Sequence, residues 1–405
     1  MAQIGQPAQV GQSAQVGQPA QIGQPAQTGQ PAQTGQPAQV GQPAQDGQST
    51  SIERHDTKIT QDDAERPIFI VVPGIMGTEL LVREKHYAWN IEKAAGAKYG
   101  WYKAAELSIE NPLTVGELLD QGLDYIEVPG YGWFLEHLSG HGDVYYYAYD
   151  WRHRVQYHVA PCAKGILALR ESNPGRRLIL IGHSMGGLIC RRALAMYDGV
   201  EGAISNFVPL GVPVGGSTMA VERAYNGFGW WLPNRRKLTK VLQQFGSIMD
   251  DLWPTYPWLR EHGKTNLVER PPPDKPTRPS PAYELSFAWK QYISRHHHGV
   301  HVKGHNVETA AVNLHELATE ADFRAKTVGF HCDKIQTPHT MEERSKSTQK
   351  VLGRYKLLED GHKDGDGTVV AHASIGIATK HKVKHQHFVA DEIMVKEIVA
   401  LSQAL

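Results

Sequence analysis

Residues 178–188 read LILIGHSMGGL, and this stretch decides the fold class. The apolar run at 178–181 predicts a buried strand, and the residues after the glycines have the apolar spacing of a helix. Between them, Gly182, Ser184 and Gly186 follow the pattern Gly-x-Ser-x-Gly, which is typical of a serine held on a sharp turn between a strand and a helix. We therefore predict that Ser184 is a nucleophile, the alternative being a serine that only caps the helix.

A serine hydroxyl is a poor nucleophile near neutral pH, so it needs a base that is oriented by an acid. For a serine on such a turn, the acid follows in the chain and the histidine comes last. Asp366 lies in the glycine-rich stretch DGDGTV at 364–369, and His387 lies in the stretch HQHF beyond it. We predict Asp366 as the acid and His387 as the base, with His385 as the alternative base because only helix and loop context separates the two.

Two backbone N–H groups are expected to stabilise an oxyanion at this serine. The N–H of Met185 follows the nucleophile at the start of a helix, where the helix dipole favours negative charge. The second donor is expected in the turn VVPGIMG at 71–77, which ends an early strand. We predict the N–H of Ile75, with Met76 as the alternative.

Short apolar runs alternate with helical periods from Pro67 onward, a pattern that predicts an α/β fold. Most of these runs are continuous, as in strands that are buried on both faces of a mostly parallel sheet with helices on each side. The predicted strands are 68–72, 144–149, 178–181, 204–210, 326–331 and 382–386, and two predicted helices are 159–172 and 185–197.

The N-terminal region is repetitive. Residues 2–49 are eight copies of a six-residue unit rich in Gln, Gly and Pro, each with at most one small apolar side chain. Such repeats cannot offset the entropy of ordering them, so we predict a disordered low-complexity tail over residues 1–60. A parallel β-helix is the alternative, but Thr28, Thr34 and Asp46 occupy its inward position and proline removes ladder donors.

Composition excludes several classes of function. The 42 basic and 42 acidic residues cancel, so the basic footprint of a nucleic-acid-binding protein is absent. No apolar run approaches the roughly 20 residues of a membrane span, and no secretory signal is legible. Three cysteines form no disulfide framework, so a cytoplasmic protein is expected. The five histidines within residues 296–305 lack acidic or cysteine ligands at helical spacing, and we expect neither a metal nor a cofactor.

Six segments together resemble the lecithin:cholesterol acyltransferase family, which includes phospholipid:diacylglycerol acyltransferases, lysosomal phospholipases and bacterial relatives. They are VPGIMG at 72–77, AYDWR at 148–152, IGHSMGG at 181–187, LGVPVGGS at 210–217, GDGTV at 365–369 and the segment around His387. The resemblance covers most of residues 66–400. It implies an α/β-hydrolase fold with a core at 66–214 and 325–405, a lid at 85–130 and a cap at 215–324. The lid disulfide of the secreted animal enzymes has no counterpart, since no cysteine lies between Ala88 and Trp133.

The resemblance implies serine-dependent acyl transfer on lipid esters, with a lipid or ester as donor and an alcohol as acceptor. Met76, Trp230 and Trp231 are expected to contact the substrate, and the alternative for the two tryptophans is a place in the core of the cap. A serine peptidase or amidase would use the same catalytic residues, and a non-catalytic protein that binds a partner through the repeat tail is the third alternative. Asp150 and Arg152 are expected to form a local charge pair, the alternative being substrate binding. The sequence leaves the oligomeric state open.

Overall fold

The computed structural model describes residues 52–55, 65–82, 86–90, 105–122, 128–227, 235–254, 256, 258–260, 327–348, 355–358 and 361–403. Its strands are β1 (Ile52–Arg54), β2 (Ile68–Val72), β3 (Thr78–Val82), β4 (His86–Trp89), β5 (Thr114–Leu118), β6 (Asp143–Tyr147), β7 (Leu178–His183), β8 (Asn206–Leu210), β9 (Leu259–Arg260), β10 (Phe330–His331), β11 (Ile335–Pro338), β12 (Met341–Glu343), β13 (Tyr355–Leu357), β14 (His362–Gly365) and β15 (Ile377–Ala378). Its α-helices are α1 (Gly132–Ser139), α2 (Val155–Ser172), α3 (Met185–Met196), α4 (Val200–Ala203), α5 (Thr218–Asn226), α6 (Arg235–Leu242) and α7 (Glu392–Gln403). A π-helical turn spans Ser247–Asp251, and 3₁₀ helices span Ala371–Ala373 and His385–Ala390.

The central sheet has seven strands in the order β1-β6-β2-β7-β8-β10-β15. Only the edge pair β1 and β6 is antiparallel, and the other neighbours in this sheet run parallel. Parallel neighbours require crossover connections. Helix α1 lies in the connection from β2 to β6, and helix α3 lies in the connection from β7 to β8. The prediction of an α/β fold with a mostly parallel sheet is confirmed.

Side chains of β2 alternate between two hydrophobic cores. Those of Ile68, Ile70 and Val72 enter one core, and those of Phe69 and Val71 enter the other. Successive side chains of a strand point to opposite faces, so a continuous apolar run suits a strand that is covered on both sides. Helices α2 and α3 contribute to the first core, and α1 and α7 contribute to the second. The sheet therefore lies between two helical layers.

Two regions predicted as insertions contain structure of their own. In the predicted lid, β4 and β5 flank β3 in a three-stranded antiparallel sheet. In the predicted cap, α5, α6 and the π-helical turn follow β8. The ring of Trp253 packs edge to face on that of Trp258 with 5.6 Å between centroids, and both rings are buried. Residues 1–51 and 261–326 lie outside the described residues. The disordered tail predicted over residues 1–60 is wrong at Ile52–Arg54, because these residues form β1, pair with β6 at the edge of the central sheet and place Ile52 against the core. The other proposed domain limits stay predictions.

The predicted strand at 382–386 is wrong. Alternating Lys382, Val383 and Lys384 imitate a half-buried strand, but the segment leads into the 3₁₀ helix His385–Ala390. The last strand of the sheet is β15, which follows Gly376 at a φ of 106°. A Cβ on that glycine would lie 2.2 Å from the Gly329 carbonyl carbon, so glycine is required for the close approach.

Other boundaries agree more closely. The strand predicted at 68–72 has the observed bounds of β2, and the helix predicted at 185–197 is one residue longer than α3. Helix α2 starts at Val155, four residues before its predicted start, and continues through Pro161. Within the described part of the chain, no helix has the length and apolar character required to cross a membrane.

Asp150 and Arg152 form a buried charge pair at the end of β6, as predicted. The Arg152 guanidinium donates to both Asp150 carboxylate oxygens, at 2.9 Å from Nε to Oδ1 and 2.6 Å from Nη2 to Oδ2. It also donates to the backbone carbonyls of Ser108 and Asn111, and so joins the lid region to the sheet. Burial alone would raise the pKa of Asp150, but the hydrogen bond and charge of Arg152 hold that pKa below its usual value.

We expect Asp150→Asn to lower the free energy of unfolding by about 3 kcal/mol, because the substitution leaves a buried guanidinium without its counter-charge. Urea denaturation measures this loss. The control is Arg54→Gln, which breaks the ion pair of a half-exposed arginine with Asp143 and should cost less than about 1 kcal/mol. Unchanged stability together with lost activity would instead favour a role for Asp150 in substrate binding.

Candidate active site

Ser184 lies between β7 and α3 on a turn that glycine makes possible. A Cβ on Gly182 would lie 2.5 Å from the Cα of Gly187, and one on Gly186 would lie 2.3 Å from the carbonyl oxygens of Val72 and Pro73. Any other residue at these two positions would push α3 away from the strands. The Gly-x-Ser-x-Gly pattern is therefore explained by contacts of the backbone with itself.

Two residues of this region have unusual backbone conformations. Among the described non-glycine residues, positive φ angles occur at Met76, with 65°, and at Ser184, with 51°. Met76 is the third residue of a turn in which the Gly77 N–H donates to the Gly74 carbonyl at 3.2 Å. Such conformations cost free energy and cluster at functional sites, where the surrounding structure maintains them.

His385 bridges Ser184 and Asp366. Its Nε2 lies 2.8 Å from Ser184 Oγ, and its Nδ1 lies 2.8 Å from Asp366 Oδ2. The side chains of all three residues are buried, with between 2% and 7% of each residue exposed. The His385 N–H also donates to the Asp366 carbonyl at 3.0 Å, so the backbone fixes the pair as well. This is the arrangement of a nucleophile, a base and an orienting acid.

His387 does not occupy this position, which corrects the predicted base. His385 begins a 3₁₀ helix, in which each turn takes about three residues, so a side chain two positions later points about 240° away. His387 lines a different cavity, together with Lys334, Lys382 and Lys384. The alternative named from the sequence, His385, is the residue that contacts Ser184.

Asp366 is held by the turn that contains it. Its Oδ1 accepts the N–H groups of Thr368 at 2.9 Å and Val369 at 2.7 Å, which leaves Oδ2 for His385. Gly367 has a φ of 96°, a conformation that favours glycine. Asp364 is exposed and accepts a hydrogen bond from Gln336. The structure therefore brings Asp366, and not Asp364, to the histidine.

Gly211 has a role that the sequence analysis did not assign. Its φ is 57°, and a Cβ there would lie 3.2 Å from both Asp366 Oδ2 and His385 Nδ1. A side chain at this position would crowd the hydrogen bond between the acid and the base. The signal was present in the segment LGVPVGGS, where glycine directly follows a strand.

A mostly apolar cavity of about 90 Å³ adjoins Ser184 and His385. Ile75 and Met76 form one part of its wall. The other apolar lining residues are Val128, Pro129, Pro213, Met219, Ala220, Ile248, Leu252 and Val369, and the other polar side chains are those of His183, Ser217, Arg223 and Thr368. Such a cavity suits an apolar group bound beside a reactive serine.

Buried carboxylates anchor the part of the wall that Ile248 and Leu252 provide. Asp251 accepts the N–H of Val155 at the start of α2, at 2.7 Å, and the guanidinium of Arg192 on α3, at 3.1 Å. The neighbouring Asp250 pairs with Arg154 Nε at 3.1 Å. The π-helical turn is thus attached to two helices of the core, one of which, α3, begins directly after Ser184.

The remaining predicted site residues divide into two groups. Ile75, Met76 and Ser184 meet at the cavity, and Met185 is the buried first residue of α3. Trp230 and Trp231 lie outside the described residues, as do the five histidines of 296–305. Among the described side chains, no group of three or more His, Cys, Asp or Glu is arranged to hold a metal ion.

The chain is similar to one known sequence family and to several solved structures. The sequence profile described as the Alpha/beta hydrolase family matches residues 128–328. No curated protein sequence matches the chain. Among solved structures, one chain of the Tle4–Tli4 complex is similar at 14% identity and a TM-score of 0.44, over 83% of this chain and 98% of that one. The mature lipase BlEst2 of Bacillus licheniformis is similar at 13% identity and a TM-score of 0.40, over 88% of this chain and 99% of that one.

The parallel sheet, the turn at Ser184 between β7 and α3, and the acid and histidine that follow it in the sequence all agree with the profile match at residues 128–328. The chain therefore has the α/β-hydrolase fold, and its residues 128–328 carry the sequence pattern of the alpha/beta hydrolase family.

Proposed function

We propose that this chain is a serine esterase that acts on lipid esters and can transfer the acyl group to an alcohol. The observation that carries the proposal is the continuous row of hydrogen bonds from Asp366 through His385 to Ser184, with 2.8 Å at each step. In a buried row of this kind the acid keeps the imidazole oriented, holds it in the tautomer that can accept the serine proton, and stabilises the imidazolium that forms. The match to the alpha/beta hydrolase family supports hydrolytic chemistry.

In the first half of the reaction, Ser184 Oγ bonds to the acyl carbon of the ester while His385 Nε2 takes the hydroxyl proton. Asp366 stabilises the imidazolium that forms and does not itself take the proton. When the carbon–oxygen bond to the leaving alcohol breaks, His385 returns the proton to that oxygen. The products are free alcohol and an ester of Ser184.

The oxyanion of the tetrahedral intermediate would be bound by the N–H groups of Ile75 and Met185. Met185 begins α3, so its N–H has no partner within that helix and the helix dipole adds to its effect. The positive φ of Met76 supports a specialised shape for the turn at 74–77. Preorganised donors of this type are worth a large part of the rate acceleration in acyl transfer.

The second half of the reaction depends on which hydroxyl reaches the acyl-enzyme. His385 can activate water or an alcohol, so hydrolysis and transfer compete at one site. The largely apolar lining of the cavity supports an acyl chain as the bound group. The resemblance to the lecithin:cholesterol acyltransferase family supports an alcohol as acceptor.

We expect Ser184→Ala to reduce ester turnover roughly a million-fold, because it removes the attacking oxygen and almost no volume. Turnover is measured with a medium-chain ester, and a serine-directed phosphonate should label Ser184 alone. The control is Ser205→Ala, a serine near the opposite end of the parallel strands, which should leave turnover unchanged. Full activity of the Ser184 variant would reject the proposal, and faster cleavage of a matched amide would favour the amidase alternative.

We expect His385→Ala to abolish turnover to a similar extent and His387→Ala to change it less than about threefold, because only His385 contacts the serine. Both variants should be assayed with the same ester, and their melting temperatures compared. A greater loss in the His387 variant would mean that the histidine loop rearranges when substrate binds.

We expect a long-chain alcohol to divert a substantial part of the acyl product into a new ester, because an apolar cavity favours an apolar acceptor over water. Product analysis across acceptor concentrations, with total donor turnover measured in parallel, provides the test. If free fatty acid is the only product at every alcohol concentration, the protein is a hydrolase and the proposal of acyl transfer is wrong.

A further inference from the structure

A buried chain of hydrogen bonds links the turn at Gly74 to the backbone of His385. The Gly74 N–H lies 2.7 Å from the Tyr131 hydroxyl, which lies 2.8 Å from His183 Nδ1. His183 Nε2 lies 3.0 Å from the backbone carbonyl of His385. Tyr131 and His183 are almost fully buried, and His183 directly precedes Ser184.

Only one direction of donation satisfies every group in this chain. Gly74 N–H can only donate, so the Tyr131 oxygen accepts it and the single hydroxyl proton is donated to His183 Nδ1. The proton on His183 Nε2 is then donated to the His385 carbonyl. This requires a neutral imidazole, and burial lowers the pKa of His183 to about 3, aided by His385. Burial likewise raises the pKa of Tyr131, so its hydroxyl keeps the proton.

We propose that Tyr131 and His183 are positioning residues for the acyl chemistry, an inference that rests on the proposed function. At one end, this row of hydrogen bonds holds Gly74, which directly precedes Ile75 in the turn. At the other end, it holds the backbone carbonyl of the base, His385. Ser184 lies between them, and a Cβ on Gly74 would be 3.0 Å from Ser184 Cβ and 3.3 Å from His183 Nδ1. The turn that carries the proposed oxyanion donor and the backbone of the base, which act on the same acyl group, are therefore linked to each other through Tyr131 and His183.

Tyr131 is suited to a test because it is not among the residues that line the cavity. Tyr131→Phe keeps the ring in its core and removes only the hydroxyl, which leaves Gly74 N–H and His183 Nδ1 without this partner. We expect kcat per titratable serine to fall on the order of tenfold to a hundredfold, because small misplacements of reacting groups have effects of that size. KM should change much less, because no contact with substrate is lost.

The assay normalises kcat to the amount of Ser184 that a phosphonate labels, so that loss of folded protein is not counted as loss of catalysis. Tyr147→Phe is the matched control, because it also removes one buried tyrosine hydroxyl. That hydroxyl donates to the backbone carbonyl of His158 and takes no part in the hydrogen bonds between Gly74 and His385. It should leave normalised kcat unchanged.

Two substitutions of His183 separate the ends of the chain. In His183→Gln the side-chain amide reaches the place of Nε2 and can still donate to the His385 carbonyl. In His183→Asn the amide lies near the place of Nδ1 and can still accept from Tyr131. We expect His183→Gln to retain more normalised kcat than His183→Asn, because the bond to the base is the one that acts on proton transfer.

Unchanged normalised kcat in Tyr131→Phe overturns the inference, and so does a loss confined to the amount of titratable serine. Equal normalised kcat in the two His183 variants overturns the assignment of the effect to His385. If the wild-type chain is neither labelled at Ser184 nor active on esters, the proposed function fails instead, and the two failures are thereby distinguished.

Discussion

The backbone of α3 passes so close to β2 and β7 that there is no room for a Cβ at Gly182 or Gly186. This contact sets the angle at which the helix leaves the sheet, and it forces Ser184 into a positive φ. The serine N–H is bonded to the Leu210 carbonyl at 2.9 Å, so the turn is also tied to the next strand of the sheet. The position of the hydroxyl is thus a property of the sheet, and the histidine and aspartate loops are placed relative to it.

Buried polar groups fasten the loops around this fixed point. Arg152 donates hydrogen bonds to backbone carbonyls of the predicted lid region. Asp251 attaches one part of the cavity wall to α2 and α3. Such pairs add little net stability, because burying their charges costs about as much as the attraction returns. Their benefit is specificity of arrangement, since a polar group that loses its partner in the interior is strongly penalised. The buried pairs therefore help to keep the segments around Ser184 in one arrangement.

The elements that could be predicted from the sequence are those that a local pattern of residues determines. The run at 68–72 is apolar at every position because both faces of β2 are covered. A short continuous apolar run of this kind is typical of a strand buried on both faces. The order of serine, acid and histidine was likewise legible. The choice between His385 and His387 was not, because it depends on the residue at which a 3₁₀ helix begins. Tyr131 could not be found at all, since its hydrogen bonds reach residues 57 and 52 positions away.

The attachment of Asp251 has a consequence for how such a chain can diversify. The anchored turn ends at Asp251, and the next strand of the central sheet among the described residues is β10, which begins at Phe330. Because the contacts of Asp251 with α2 and α3 fix the part of the wall that Ile248 and Leu252 provide, insertions or deletions later in the sequence need not move that part of the wall. The buried contacts of one aspartate can therefore preserve this part of the site while the sequence after it varies.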